Sequence, residues 1–95
     1  MAVKIIIRRK IPKGRETQLL PLLLGLRSKG LSQTGYISAE TLRNVNDPEE
    51  YLFISTWKSV DDWKAWEASR ERKEIHSKID TMLVEKTTYG IYFYG

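Results

Sequence analysis

The strand-like segments of this chain carry apolar side chains on both faces, and this feature restricts the possible folds most. In the segment from Tyr51 to Trp57, aromatic residues alternate with Leu52 and Ile54. Successive side chains of a strand point to opposite faces of the sheet, so both faces of this strand are apolar. Ile6 adds an apolar side chain to the second face of the first strand in the same way. A sheet with two apolar faces needs a cover on each side.

The order of the segments predicts the fold class. Alternation, helical spacing and turn residues give the order strand, helix, strand, strand, helix, helix, strand. The strands are Val3 to Ile11, Tyr36 to Asn44, Tyr51 to Trp57 and Glu85 to Tyr94; the helices are Arg15 to Lys29 and two that begin after Ser59 and Ser69. Proline removes a backbone N–H, so Pro21 is expected to kink or restart the first helix. The order predicts an α+β fold of ferredoxin-like βαββαβ topology, with a four-stranded antiparallel sheet and helices on one face.

Size and composition favour self-association. The chain has 95 residues, which is enough for one domain over residues 1–95 but too few for two. A domain of this size buries a limited share of its surface and is often helped by disulfides, metals or oligomerisation. There are no cysteines and one histidine, which excludes disulfides, thiolate metal sites and histidine clusters. A second copy of the same sheet is the simplest cover for the free face, and we therefore expect a homodimer.

Charge and hydropathy indicate a cytoplasmic protein that does not act on membranes. No apolar run approaches the roughly 20 residues that a membrane span needs, and the first residues lead directly into a strand rather than a secretory leader. The net charge is +4, and the tightest basic cluster is Arg8-Arg9-Lys10, which we expect to be solvated surface.

RNA-recognition domains share the order of elements, but the first strand here lacks their aromatic residue and the third lacks their glycine-rich motif. Nucleic-acid binding is therefore not favoured.

Several short motifs together resemble a known family. They are Lys13-Gly14 after the first strand, Gly35-Tyr36 at the second, Asp47-Pro48 at the hairpin, and Ser55-Thr56-Trp57-Lys58-Ser59 leading into Trp63, Trp66, Ser69 and His76. In this order and spacing, over nearly the whole chain, they resemble the antibiotic biosynthesis monooxygenase (ABM) superfamily. The resemblance implies a dimeric α+β barrel with a pocket between the sheet and the helices of each subunit. Family members include cofactor-independent monooxygenases that oxidise phenols or quinols with molecular oxygen, and others degrade haem.

The haem-degrading branch can be compared residue by residue. That branch has an asparagine on the first strand, a tryptophan after the third strand and an iron-ligating histidine ten residues later. Trp66 and His76 stand at these last two positions, whereas Ile7 fills the position of the asparagine. An alkyl side chain cannot donate the hydrogen bond that asparagine supplies. Haem is therefore an alternative, and no bound cofactor or other metal is expected.

The candidate site residues are His76, Trp66 and Ile7, and each has a structural alternative. His76 lies at the edge of a helical apolar stripe, where it could transfer a proton or simply bond to water or to Asp80 one turn later. Trp66 could line the pocket with Ile7 and stack on a flat substrate, or it could pack in the core like Trp63. The sequence thus indicates a small-molecule monooxygenase of the ABM type acting on an aromatic or quinol-like substrate. The alternatives are a haem-binding or haem-degrading protein and a ligand-binding domain without catalysis.

Overall fold

The seven predicted elements are all present in the computed structural model, which describes residues 1–95. They are β1 (Val3–Lys10), α1 (Glu16–Leu31), β2 (Tyr36–Arg43), β3 (Glu50–Trp57), α2 (Val60–Glu67), α3 (Arg70–Met82) and β4 (Thr88–Phe93). The four strands form one antiparallel sheet in the order β2-β3-β1-β4. The ferredoxin-like α+β prediction is confirmed. The helices cover one face of this sheet, and the hydrophobic core lies between the two layers.

The central strand β1 separates the two faces by simple alternation. Its odd-numbered residues are buried on the helix side, and its even-numbered residues are half-buried on the opposite side. Val3 and Ile5 are completely buried and pack with Leu19 of α1 and Ile79 of α3. Tight packing of these branched side chains stabilises the layer contact, because each buried aliphatic side chain contributes roughly 1.5–3 kcal/mol.

A row of aromatic rings continues the core along β3. Trp57 is 1% exposed and its ring meets Tyr36 and Trp63 edge-on, with centroid separations of 5.6 and 5.8 Å. The indole N–H of Trp57 donates to the hydroxyl of Ser55 at 3.0 Å. A buried indole with its donor satisfied in this way adds apolar area without an unpaired polar group. These rings fix α2 against the sheet, and the prediction that Trp63 is a core residue is confirmed.

The helix starts follow the sequence, but one helix interior does not. Ser59 and Ser69 are the N-caps of α2 and α3, and each hydroxyl accepts a bond from the backbone N–H three residues later. Of the two outcomes expected for Pro21, a kink or a restart of the first helix, the restart is wrong, because α1 runs without interruption from Glu16 to Leu31. Pro21 removes a single backbone hydrogen bond, and α1 stays anchored to the core on both sides of it.

Gly35 sets the turn from α1 into β2. Its φ of +87° lies in the left-handed region, and a Cβ atom at this position would stand 2.2 Å from the carboxylate of Asp62. Only glycine meets both conditions. The carbonyl of Gly35 also accepts a hydrogen bond from the backbone N–H of Lys58, which ties this turn to the start of α2. This bond therefore joins the turn that follows α1 to the segment that leads into α2.

The opposite face of the sheet has an apolar centre with charged borders. Ile6 and Ile54 are cross-strand partners in this centre, and both are half-buried. At the border, the guanidinium of Arg8 donates to the Glu50 carboxylate at 2.6 Å. We call this surface, centred on Ile6, Leu52 and Ile54, the outer face. No helix in the structure is long and apolar enough to cross a membrane.

Candidate functional site

A cavity of about 130 Å³ lies between the helix side of the sheet and helix α1. Ile7 of β1 and Phe53 and Trp57 of β3 line it from the sheet. Leu20 and Leu24 of α1 also line it, although they are 42% and 64% exposed. The cavity therefore reaches solvent beside α1. Its lining is mostly apolar, as in most small-molecule sites of proteins.

Arg9 places a charged group in this apolar lining. It is 5% exposed and lies on the same side of β1 as Ile7. Its Nε and Nη2 atoms are buried and have no hydrogen-bond partner in the protein. Burial is the main cause that lowers the pKa of Arg9 to about 10; the positive charge of Arg72 acts in the same direction, and Tyr89 and Asp80 oppose the change. Arg9 is therefore still protonated at neutral pH, and its charge lies in the cavity lining without a bonded counter-ion.

Tyr51 lies directly across from Arg9 in the register of β1 and β3. Its hydroxyl is also buried and also has no hydrogen-bond partner in the protein. The guanidinium of Arg43 lies over the ring of Tyr51 at 4.6 Å from the centroid, which holds the ring in place. Cross-strand partners on one face are close neighbours, so two residues with an unsatisfied polar group lie side by side in the cavity lining.

Arg72 is a second buried arginine in the cavity lining, and α3 positions it. The Ser69 hydroxyl accepts from the Arg72 backbone N–H at 3.2 Å and thereby fixes the first turn of the helix. The side chain is 4% exposed and lies over the rings of Trp63 and Tyr89, at 5.2 and 5.4 Å from their centroids. Its Nη2 donates to the Tyr89 hydroxyl at 3.0 Å. Arg72 thus has a side-chain hydrogen-bond partner within the protein, unlike the Nε and Nη2 atoms of Arg9.

His76 extends this contact into a chain of side-chain hydrogen bonds. Its Nδ1 lies 3.2 Å from the Asp80 carboxylate, and its Nε2 lies 2.9 Å from the Tyr89 hydroxyl. A carboxylate only accepts, so the Nδ1 atom carries the proton and Nε2 accepts from Tyr89. Burial and the charges of Arg72 and Arg9 lower the pKa of His76 to about 4, because Asp80 offsets them only in part. His76 is therefore neutral at pH 7.

The structure brings two of the three predicted site residues into the cavity. Ile7 and Trp66 both line it, and Trp66 packs so closely on α1 that a Cβ atom at Gly30 would lie 3.6 Å from the indole Nε1. His76 is not part of the lining. It is connected to the lining through Tyr89 and Arg72, and its contact with Asp80 is the structural alternative stated for it above.

The residues do not fit a haem ligand set. Both ring nitrogens of His76 are engaged by protein groups, and the ring lies outside the cavity lining. Ile7 supplies an alkyl group where the haem-degrading branch has its hydrogen-bond donor. The chain also has no group of three or more His, Asp or Glu side chains arranged to hold a metal ion.

The polar residues of the cavity are not among the site residues predicted from the sequence. The Arg8-Arg9-Lys10 cluster was expected to be solvated, and for Arg9 this is wrong. Arg8 and Lys10 point to the outer face and pair with acidic residues, whereas the alternation of β1 turns Arg9 inward. The sequence did indicate that Arg9 is buried, because Arg9 is odd-numbered, like the apolar residues of β1 that face the helices. Arg72 stands three and seven residues before the apolar positions Ile75 and Ile79, so it occupies the buried stripe of α3.

The fold and the cavity define a small ferredoxin-like α+β domain with a mainly apolar helix-side cavity. The sequence matches the family model for antibiotic biosynthesis monooxygenases over residues 2–78, and the chain belongs to this family. No functionally curated protein matches the sequence.

Solved structures agree with this fold over nearly the whole chain. A conserved protein from Methanosarcina mazei is 20% identical, with a TM-score of 0.89 over 97% of this chain and 91% of that one. SnoaB, a cofactor-independent oxygenase from Streptomyces nogalater, is 14% identical, with a TM-score of 0.87 over 99% of this chain and 93% of that one. At these identities the likeness concerns the fold alone.

Proposed function

We propose that this protein is a monooxygenase of the ABM type, which oxidises an aromatic or quinol-like substrate with molecular oxygen and without a bound cofactor. Family membership supports the reaction class, and a similar fold occurs in a cofactor-independent oxygenase. The observation that carries the proposal is the helix-side cavity, in which aromatic rings and alkyl groups enclose a buried cation. Such a lining suits a flat apolar ring that bears a negatively charged oxygen.

The chemistry needs no electron source other than the substrate. A hydroquinone loses a proton to become an electron-rich phenolate, which transfers electrons to oxygen. One oxygen atom then bonds to a ring carbon and the other leaves as water, so the hydroquinone and O₂ give a hydroxyquinone and water. The substrate is oxidised by four electrons and O₂ is reduced by four. Positive charge near the ring favours the phenolate, and Arg9 and Arg72 supply it.

The proposed roles of the predicted residues follow from their positions. Trp66 stacks on the substrate ring, and Ile7 supports its opposite edge from the sheet. His76 acts through another residue, since it accepts from Tyr89, whose oxygen in turn accepts from Arg72 in the lining. We therefore assign His76 a positioning role and expect any proton that it takes up to reach it through Tyr89.

Oxygen consumption tests this proposal. Purified protein is mixed with a panel of hydroquinones and naphthols, and the rate is followed with an oxygen electrode. Trp66→Leu removes the stacking ring and should lower kcat/KM by about two- to tenfold, as expected for an aromatic contact. Lys73→Gln, an exposed position on α3, is the control and should leave the rate unchanged. No oxygen consumption above the buffer rate with any substrate would refute the monooxygenase proposal.

A ligand-binding domain without catalysis is the second candidate. The observation in its favour is that no histidine or carboxylate lines the cavity, so a general base has no direct access to a bound ligand. Ligand binding without oxygen consumption would select this candidate. A haem titration tests the remaining alternative, haem binding. Both ring nitrogens of His76 are already hydrogen-bonded, so we expect no shift of the Soret band that depends on this residue.

The outer face supports a homodimer. Its apolar centre is half-buried in the single chain, and two copies paired through this surface would remove it from water. We infer that the protein pairs in this way, with one cavity in each subunit on the far side of its sheet. Sedimentation at micromolar concentration should then give a species of twice 11.1 kDa.

A further inference from the structure

The cavity contains an unsatisfied hydrogen-bonding pair that its apolar lining does not explain. Arg9 and Tyr51 are cross-strand partners on the helix side of the sheet. The Nε and Nη2 atoms of Arg9 and the hydroxyl of Tyr51 are all buried and lack partners within the protein. Buried polar groups in native proteins are nearly always paired, so unpaired atoms on two neighbouring residues of the lining point to a ligand.

The two nitrogens of Arg9 define the shape of the group that they would bind. The Nε–H and one Nη2–H bond of a guanidinium are parallel and form one edge of its planar fork. This edge matches the two oxygens of a carboxylate, which accept both bonds at once. A single phenolate oxygen satisfies one of the two donors well and leaves the other poorly paired. The arrangement therefore favours a planar anion with two oxygens.

The protein itself does not neutralise Arg9. No carboxylate oxygen lies within 4.0 Å of it, since the neighbouring Arg8 and Lys10 take their acidic partners on the outer face. The other arginine of the cavity, Arg72, donates to Tyr89 instead. A buried cation without a partner destabilises the folded chain, and a bound anion would remove this cost.

We propose that the cavity takes a ring-sized apolar ligand that bears a carboxylate, bound by both nitrogens of Arg9 and by the hydroxyl of Tyr51. The inference rests on the proposed function in one respect, which is that the helix-side cavity is the substrate site. The cavity volume of about 130 Å³ sets the size of the buried ring. For comparison, an apolar cavity of about 150 Å³ holds one benzene molecule. A second ring would lie toward Leu20 and Leu24, where the cavity meets solvent.

Three ligands of one shape test the charge requirement by isothermal titration calorimetry at pH 7.5. They are 2-naphthoate, its neutral isostere 2-naphthamide, and 2-naphthol, which carries one oxygen. Because hydrogen bonds to a charged group are stronger than those to a neutral one, we expect 2-naphthoate to bind about ten- to hundredfold more tightly than 2-naphthamide. Tightest binding of 2-naphthol would assign the site to a phenolate and overturn the carboxylate proposal. Equal affinities of the carboxylate and the amide, or no binding of 2-naphthoate, would also overturn it.

Matched variants of β1 locate the effect. Arg9→Met keeps most of the side-chain volume and should abolish the preference for the carboxylate, whereas Arg8→Gln removes the adjacent positive charge from the outer face and should retain it. Tyr51→Phe should weaken 2-naphthoate by about ten- to hundredfold, the effect of one hydrogen bond to a charged group. A preference that survives in Arg9→Met refutes the assignment.

Stability provides a readout that does not depend on ligand binding. Arg9→Met removes an unpaired buried charge, so the ligand-free variant should melt at a higher temperature than the wild type. A purely structural role for Arg9 predicts a lower melting temperature, and that result would overturn the proposal.

The monooxygenase proposal and the carboxylate proposal can fail separately. A carboxylate preference without oxygen consumption defeats the monooxygenase and leaves this inference standing. Equal kcat/KM for quinols with and without a carboxylate defeats this inference alone.

Discussion

The neutral state of His76 predicts a specific loss of stability in acid. Its pKa is about 4 in the folded protein against 6.5 ordinarily, because burial and the charges of Arg72 and Arg9 oppose protonation and Asp80 offsets them only in part. Between these values the unfolded chain binds a proton that the folded chain does not, so the free energy of unfolding falls as the pH is lowered from 6.5 to 4. At about 1.4 kcal/mol per pH unit, the full difference sets an upper bound of about 3.4 kcal/mol. The side chain is still 12% exposed and solvent screening reduces the effect, so we expect a loss of about 2 kcal/mol in the free energy of unfolding.

Urea unfolding of the wild type and His76→Gln at pH 7.0 and pH 4.5 measures this effect. Glutamine does not titrate, so the variant should lose about 2 kcal/mol less than the wild type between the two pH values. Acidic residues elsewhere titrate in both proteins, and their contribution cancels in the comparison. Equal losses in the two proteins would show that His76 titrates alike in the folded and unfolded chain, contrary to the reasoning above.

Three further predictions concern the fold and the pairing of two subunits. Gly35→Ala should destabilise the protein by about 2–3 kcal/mol in a thermal or urea melt, because it combines backbone strain with a clash against Asp62. Gly14→Ala is the control: its φ is also positive, at +93°, but the space around it is open, so it should cost about 1 kcal/mol. Equal costs of the two substitutions would contradict the clash. Ser69→Ala removes the cap of α3 and should cost about 1 kcal/mol in urea, and an unchanged midpoint would contradict the cap. Ile54→Lys places a charge in the outer face and should shift the sedimenting species to 11.1 kDa, and an intact dimer would refute pairing through this surface.

The fold was predictable because local patterns and global packing agree. The alternation of β1 and β3, the caps Ser59 and Ser69, and the glycine before β2 each indicated the element that the structure contains. Pro21 was the exception, since one lost hydrogen bond weighs less than the packing of the whole helix face. Whether a segment forms a helix or a strand depends mainly on the sum of many small local preferences, and these preferences can be read from the sequence.

The site was less predictable because its polar groups lie on core positions. A run of three basic residues such as Arg8-Arg9-Lys10 normally indicates a solvent-exposed surface. Only the strict alternation along β1 turns the Arg9 side chain to the opposite face from its two neighbours. The sequence could place Trp66 and His76 on helices, but it could not reveal that Tyr89, from the last strand, joins His76 to Arg72. Contacts of this kind depend on strand order, which brings β4 beside β1.

The buried cations and the histidine form one electrostatic unit, and this links ligand binding to protonation. Arg72 and Arg9 both lower the pKa of His76, although burial contributes more. An anion bound to Arg9 would cancel part of the positive potential, so the pKa of His76 should rise on binding while staying below its ordinary value. The reverse also holds by linkage, because an anion that favours protonated His76 must itself bind more tightly once that proton is present.

The only histidine of the chain is a clean probe of this coupling. The imidazole carbon-bound proton of His76 can be followed by NMR through a pH titration, with and without saturating 2-naphthoate. The carboxylate should move the midpoint upward, and 2-naphthamide should not. Arg9→Met should produce a similar upward shift without any ligand, because it removes one of the two opposing charges permanently. A midpoint that is the same in all of these samples would mean that burial alone sets the state of His76, and the electrostatic link between the cavity and the Asp80–His76–Tyr89 chain would be refuted.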